Sequence, residues 1–180
     1  GALGSSQEYA SFTTSAQTVL AQPFSLDLTG DSNGWNLVST NMEPDQPYSR
    51  KLFGSDSFSW KWNANLQIYE QMREVEPFVG FWLYQPSATA NFQISGFTPK
   101  HSTIYLQPQW NLAGVLRPDT LFPPIFGNTN HIFSYSSTGY QTEEFDVDLD
   151  ATILHSARGY WIFTTRTTEI ELDLLDVHNP

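Results

Sequence analysis

The sequence predicts an all-β protein: two tandem, pseudo-equivalent small β units, each sandwich- or barrel-like, packed against one another. Three observations lead there. Aromatic residues make up 15% of the 180-residue chain, and the apolar residues fall in short alternating runs separated by Gly, Pro, Asn, Asp and Ser. The chain also repeats itself: the Gly-Phe-Trp-Leu-Tyr of 80–84 returns as the Gly-Tyr-Trp-Ile-Phe of 159–163, and Trp35, Asn36 and Leu37 return 75 residues on as Trp110, Asn111 and Leu112. Finally, a hydrophobic content of 39% over this length is enough to enclose a sizeable core.

Residues 1–22, rich in Ser, Thr, Gln and Ala, read as an unduplicated extension, either a short helix or a disordered leader. The first unit spans 23–98. Phe24, Leu26 and Leu28 alternate as its lead-in strand, the Trp-Asn-Leu strand follows with Pro44 soon after, and 43–53 reads as a helical turn. Phe58, Trp60 and Trp62 then alternate with Ser57, Ser59 and Lys61, which puts the aromatics on one face and leaves the serines and lysine on the wet face. A turn at 63–65 makes Tyr69 a cross-strand partner of the preceding aromatics. Gly80 lets the chain turn or pass close to a neighbour, and the rings on both faces of 81–84 call for cover on both sides. Phe92 and Ile94 close the unit.

The second unit, 99–176, runs in parallel. Ile104 and Leu106 lead in, Pro118 follows Trp110, Phe133 and Tyr135 take the places of Trp60 and Trp62, and Tyr140 follows a turn at 136–139. Phe145, Val147 and Leu149 alternate with Asp146, Asp148 and Asp150 as a half-buried strand, 151–157 reads as a helical turn, and Ile170, Leu172 and Leu174 alternate with Glu169, Glu171 and Asp173. Residues 177–180 are a tail. The offsets between matched positions drift, which places the length differences in loops. The link at 95–102 is short and carries Pro99, so the units should touch.

A formal charge of −11, from 19 acidic and 8 basic residues, repels phosphates and anionic headgroups, so no nucleic acid partner is expected. With no cysteine, disulfides, thiolate nucleophiles and Cys-ligated zinc are excluded. No run approaches the roughly 20 apolar residues of a membrane span. The opening residues lack the basic and apolar regions of a signal peptide, and the start at Gly1 is what a trimmed chain with its export signal removed would show.

The Trp-Asn-Leu opening, the proline soon after, the aromatic middle strand and the closing Gly-[Phe/Tyr]-Trp-[Ile/Leu]-[Phe/Tyr] resemble the tandem GWN…GYW repeats of exported and surface proteins of bacteria, over about residues 23–176. Gln109 departs from the pattern, which has Gly there. The resemblance implies an extracellular or cell-envelope location and a non-catalytic adhesion, binding or spacer role, with a protein or polysaccharide partner at the cell surface.

Positions that agree between the copies read as the repeat core: Trp35 with Trp110, Trp82 with Trp161, and Gly80 with Gly159. Trp60, Trp62 and Tyr69 form a candidate sugar-stacking strip, which makes a carbohydrate-binding module the alternative function. Asp27, Asp31 and Asn33 sit among turn formers as calcium-loop oxygens do, although the spacing fails the EF-hand template and a simple Asx turn is the plainer reading. No other cofactor is expected. The acidic run 142–150 reads as a solvated edge strand, and the loops 41–54, 72–79 and 119–130 as contact surfaces. His101, His131, His155 and His178 are isolated and no nucleophile or phosphate motif appears, so a glycoside-processing enzyme, needing two carboxylates about 5–10 Å apart, stands as the third reading.

Overall fold

The computed structural model describes residues 18–20, 24–28, 33–40, 42–86, 91–99, 101–115, 120–124 and 131–173. Over these the regular structure is nearly all β, with one short helix. The first part holds β1 (Thr18–Leu20), β2 (Phe24–Asp27), β3 (Trp35–Val38), β4 (Glu43–Pro44), the short helix α1 (Ser49–Phe53), β5 (Phe58–Asn63), β6 (Ile68–Gln71), β7 (Phe81–Tyr84), β8 (Asn91–Ile94) and β9 (Gly96–Pro99). The second holds β10 (His101–Leu106), β11 (Gln109–Gly114), β12 (Thr120–Phe122), β13 (Ile132–Ser136), β14 (Gly139–Thr142), β15 (Phe145–Asp146), β16 (Ala151–Leu154), β17 (Gly159–Thr164) and β18 (Thr168–Asp173).

The strands form several small antiparallel sheets. Two have four strands, β3-β7-β5-β6 and β11-β17-β13-β14. In each, the Trp-Asn-Leu strand pairs with the closing glycine–aromatic strand, which pairs with the middle aromatic strand, which pairs with its hairpin partner. The ribbons β2-β8 and β10-β18 and the three-stranded sheets β1-β9-β4 and β12-β16-β15 complete the fold.

One core cluster lies in each part. Leu26, Met42, Phe53, Met72, Val75, Phe81, Leu83 and Ile94 fill the first; Ile104, Leu106, Val115, Phe122, Leu154, Tyr160 and Ile162 fill the second. The two interlock, because Phe78, fully buried, belongs to the second cluster and Ala157 packs against the first. Backbone bonds hold this crossing on both sides: Gly114 N donates to Phe78 O at 2.7 Å, and Ser39 N to Ala157 O at 3.1 Å. Phe78 and Ala157 both adopt left-handed backbone, with φ of 63° and 70°. Each such residue costs on the order of 1 kcal/mol and persists only where its surroundings demand it.

Gly80 immediately precedes β7 and Gly159 begins β17 at this crossing. A Cβ on Gly80 would lie 2.6 Å from Ala113 O, and one on Gly159 would lie 2.9 Å from Val38 O. The neighbour that needs these glycines is therefore the Trp-Asn-Leu strand of the other sheet.

Several expectations are corrected. Residues 151–154 are strand β16, as β-branched Thr152 and Ile153 favour. The acidic run does not continue as a strand: after β15 the chain turns, Asp146 Oδ1 accepts from the backbone N–H groups of Asp148 and Leu149, and Val147 is 82% exposed. Thr18–Leu20 of the extension is a strand paired with β9, so the link between the parts is itself sheet; residues 1–17 lie outside the described residues. Met72, Val75 and Phe78 are core rather than contact loop.

The largest correction concerns the faces of β5. Ser57 and Ser59 are buried, whereas Phe58 and Trp60 are 46% and 38% exposed. Each hydroxyl has a carbonyl to bond: Ser57 Oγ donates to Gly54 O at 2.6 Å, and Ser59 Oγ to Met72 O at 3.0 Å, where Ser49 Oγ also donates. A satisfied hydroxyl is inexpensive to bury, and its small volume lets the 72–79 segment lie close. The large rings are left on the other face.

Candidate functional site

That other face is aromatic across the whole first sheet. Register places Trp35 opposite Tyr84, Leu37 opposite Trp82, Trp82 opposite Trp60, Tyr84 opposite Phe58, and Trp62 opposite Tyr69. In the second sheet Trp110 opposes Phe163, Leu112 opposes Trp161, Phe133 opposes Trp161, and Tyr135 opposes Tyr140. The two aromatic faces meet around Leu37, Leu112 and Trp161.

The contacts recur in matched pairs. Trp62 stands edge-on to Trp161 at 5.2 Å between ring centroids, and Tyr135 to Trp82 at 4.8 Å. Tyr69 lies 6.2 Å from Trp161, and Tyr140 6.3 Å from Trp82. Within the sheets, Trp35–Trp82 at 6.4 Å answers Trp110–Trp161 at 6.2 Å. Edge-to-face pairs at these separations add about 0.5–1.5 kcal/mol each beyond burial, so the meeting of the sheets is held by ring geometry as well as by area.

The rings do not close the space between the sheets; they leave two open clefts. The first, about 550 Å³, is lined by Trp35, Trp60 and Trp82 of one sheet and by Tyr69, Tyr135 and Tyr140. The second, about 470 Å³, is lined by Trp110, Phe133 and Trp161 of the other sheet and by Trp62, Tyr69 and Tyr140. Each floor belongs to one sheet and is walled by the hairpin of the other, and Tyr69 and Tyr140 line both clefts. All six tryptophans of the chain are used, three in each.

The chain matches no protein-family model, no curated protein and no solved structure.

The strip foreseen in Trp60, Trp62 and Tyr69 is thus real as a surface but divided: Trp60 lines the first cleft, Trp62 the second, and Tyr69 both. Trp35, Trp82, Trp110 and Trp161, expected as core, line the clefts while packing at their floors. Tyr135 and Tyr140 were visible only as repeat counterparts of Trp62 and Tyr69; assuming that the two copies face one another would have found them. Of the calcium candidates, Asp27 ends β2, Asn33 is exposed in a turn and Asp31 lies outside the described residues. Among the described residues no group of three or more His, Asp or Glu is placed to hold a metal ion.

The polar handles are few. Burial pushes the Tyr69 phenol above its usual pKa, with the Trp82 indole pulling the other way. Burial likewise raises Tyr140, helped by nearby Tyr69 and opposed by Trp161. Both phenols therefore stay protonated donors through neutral and mildly basic pH. Trp161 Nε1 is buried, and it acts on the Tyr140 phenol as the donor that opposes the effect of burial there. Trp62 Nε1 is satisfied, donating to Trp110 O at 2.9 Å. Gln67, at the tip of the β5–β6 turn, takes up the same Trp110 backbone, its Nε2 donating to the carbonyl and its Oε1 accepting from the N–H. That amide acts as a substitute strand on the edge of β11.

Proposed function

We propose that this chain is a non-catalytic binding module of an exported bacterial surface protein, built from two pseudo-equivalent tandem units, and that it holds uncharged glycan by stacking sugar rings in the two aromatic clefts. The observation that carries this is the inverted strand: β5 turns serines to the core and Phe58, Trp60 and Trp62 away from it, and ten aromatic side chains line the clefts with no charged residue among them. A large exposed apolar patch on an otherwise acidic chain has to be explained by something that covers it. The apolar C–H faces of pyranose rings fit indole and phenol faces, and phenol hydroxyls at the rim supply donors and acceptors.

The duplication rests on the shared strand order of the four-stranded sheets and on the matched ring pairs. Surface location rests on the resemblance to GWN…GYW repeats. Among the described residues neither cleft lining includes a carboxylate, which is why binding is preferred here to glycoside hydrolysis.

The test is a panel of neutral and acidic polysaccharides, read by intrinsic tryptophan fluorescence with calcium and with chelator. A saturable change with a neutral glycan, reduced in Trp60→Ala and lost when Trp161→Ala is added, is the expected result; loss in chelator would bring the Asp27 loop into the site. No change with any glycan, in a protein shown to be folded, would leave an adhesion or spacer segment that recognises protein.

A further inference from the structure

The two clefts adjoin. Tyr69 and Tyr140 belong to both linings, Tyr69 is packed against Trp161 and Tyr140 against Trp82, and the charge of one phenol is felt by the other. From this we infer that a single linear, uncharged glycan chain occupies both clefts at once, crossing the Tyr69–Tyr140 ridge; the inference rests on the glycan reading above and names its ligand's length and valency.

Three features decide the occupant. Each cleft, near 500 Å³ and open, is in the range that takes a drug-sized ligand, so it accommodates a few sugar rings and leaves a bare methylated ammonium ion loosely held, since a cation cage needs several ring faces within about 6 Å of one charge. An acidic polysaccharide meets a chain of charge −11 and, among the described residues, no cation in either lining. A repeating polymer, alone among these, offers the same face to two sites of matching construction, and a segment bound in one cleft presents the next segment to the other at high effective concentration.

The experiment is isothermal titration of the intact chain with size-graded oligosaccharides of cellulose, chitin, mannan and xylan, from two rings upward, with tetramethylammonium as a parallel titrant. For the glycan that binds, short oligosaccharides should bind weakly at two per chain. Beyond a threshold length the stoichiometry should fall to one per chain and the affinity rise at least tenfold. Trp60→Ala, which touches only the first cleft, should leave short oligosaccharides binding at one per chain and remove the gain with length. Two per chain at every length without a gain would overturn the single-chain inference and leave glycan binding intact. Absence of binding by every series would overturn both readings, and binding of tetramethylammonium alone would replace them with a cation site.

Discussion

The two clefts are built to one plan and differ in their floors and in the hairpin turns beside them. Trp60 floors the first where Phe133 floors the second. The turn of the β5–β6 hairpin has four residues, 64–67, where that of β13–β14 has two, 137–138. The longer turn carries Gln67, in left-handed backbone at φ 55°, to the Trp110 backbone. The second cleft is thereby tied to its wall by hydrogen bonds from Gln67 and Trp62; the first has the larger volume, and an indole on its floor where the second has a phenyl ring. Deeper in the fold, Tyr160 of β17 stands where β7 has Phe81: both are buried, but only Tyr160 has a hydroxyl, which donates to His155 O and accepts from His155 N. Two sheets with the same strand order thus differ in the rings they present and in the polar groups behind them.

The sharpest way to break the comparison is at the glycines of the crossing. Gly80→Ala forces a methyl group to within 2.6 Å of the Ala113 carbonyl oxygen and close to its backbone C and N, which cannot yield locally, so a loss of about 3 kcal/mol is expected in urea unfolding. Gly159→Ala meets Val38 O at 2.9 Å and otherwise Leu37 side-chain atoms that can shift, so it should cost less. Equal or reversed costs would mean that the two crossings are not built as described.

Next in size is the Tyr160–Phe81 difference, which pH exposes. Burial, chiefly, pushes the Tyr160 phenol up to about 12. The unfolded chain releases this proton near pH 10 and the folded chain holds it to about pH 12. Stability should therefore fall by about 2–3 kcal/mol as pH rises through that window. Tyr160→Phe should remove this fall, and at neutral pH it should cost about 1–2 kcal/mol because the His155 backbone groups lose their partner. Chemical unfolding at pH 7 and at pH 11.5 checks both signs.

Gln67→Ala should cost about 1 kcal/mol through its lost bonds to Trp110 and loosen the second cleft, visible as faster amide hydrogen exchange in β11. Smallest in stability is Trp60→Phe, which copies the second floor into the first. Unfolding should change by no more than about 0.5 kcal/mol at this part-exposed position, while neutral-glycan affinity drops several-fold.

Much of the fold was legible. Alternation and turn residues gave the strands, and self-similarity gave the matching of Trp35 with Trp110 and of Gly80 with Gly159. Tyr69 could be read as a cross-strand partner of the preceding aromatics, but the turn falls at 64–67 rather than 63–65, and only that register sets it opposite Trp62. The wet face of β5 was read the wrong way round, since Ser59 looks solvent-facing until Met72 O, thirteen residues away, is known to accept its hydroxyl. Residues 151–154 looked helical because the strand that pairs with them over most of their length, Thr120–Phe122, is distant in sequence. The clefts themselves were not legible: the candidate strip lay in one copy, and no local pattern states that the aromatic faces of two sheets meet, or that Phe78 crosses to fill the other core.

The most direct test of a site shared between facing sheets is the two-dimensional NMR spectrum of the ¹⁵N-labelled tryptophan indoles, six signals in all, recorded while the best neutral glycan of the panel is added. The account predicts that signals from both sets move together on one binding curve, Trp35, Trp60 and Trp82 with Trp62, Trp110 and Trp161. A spectrum in which no indole moves, while the glycan demonstrably binds, would contradict it.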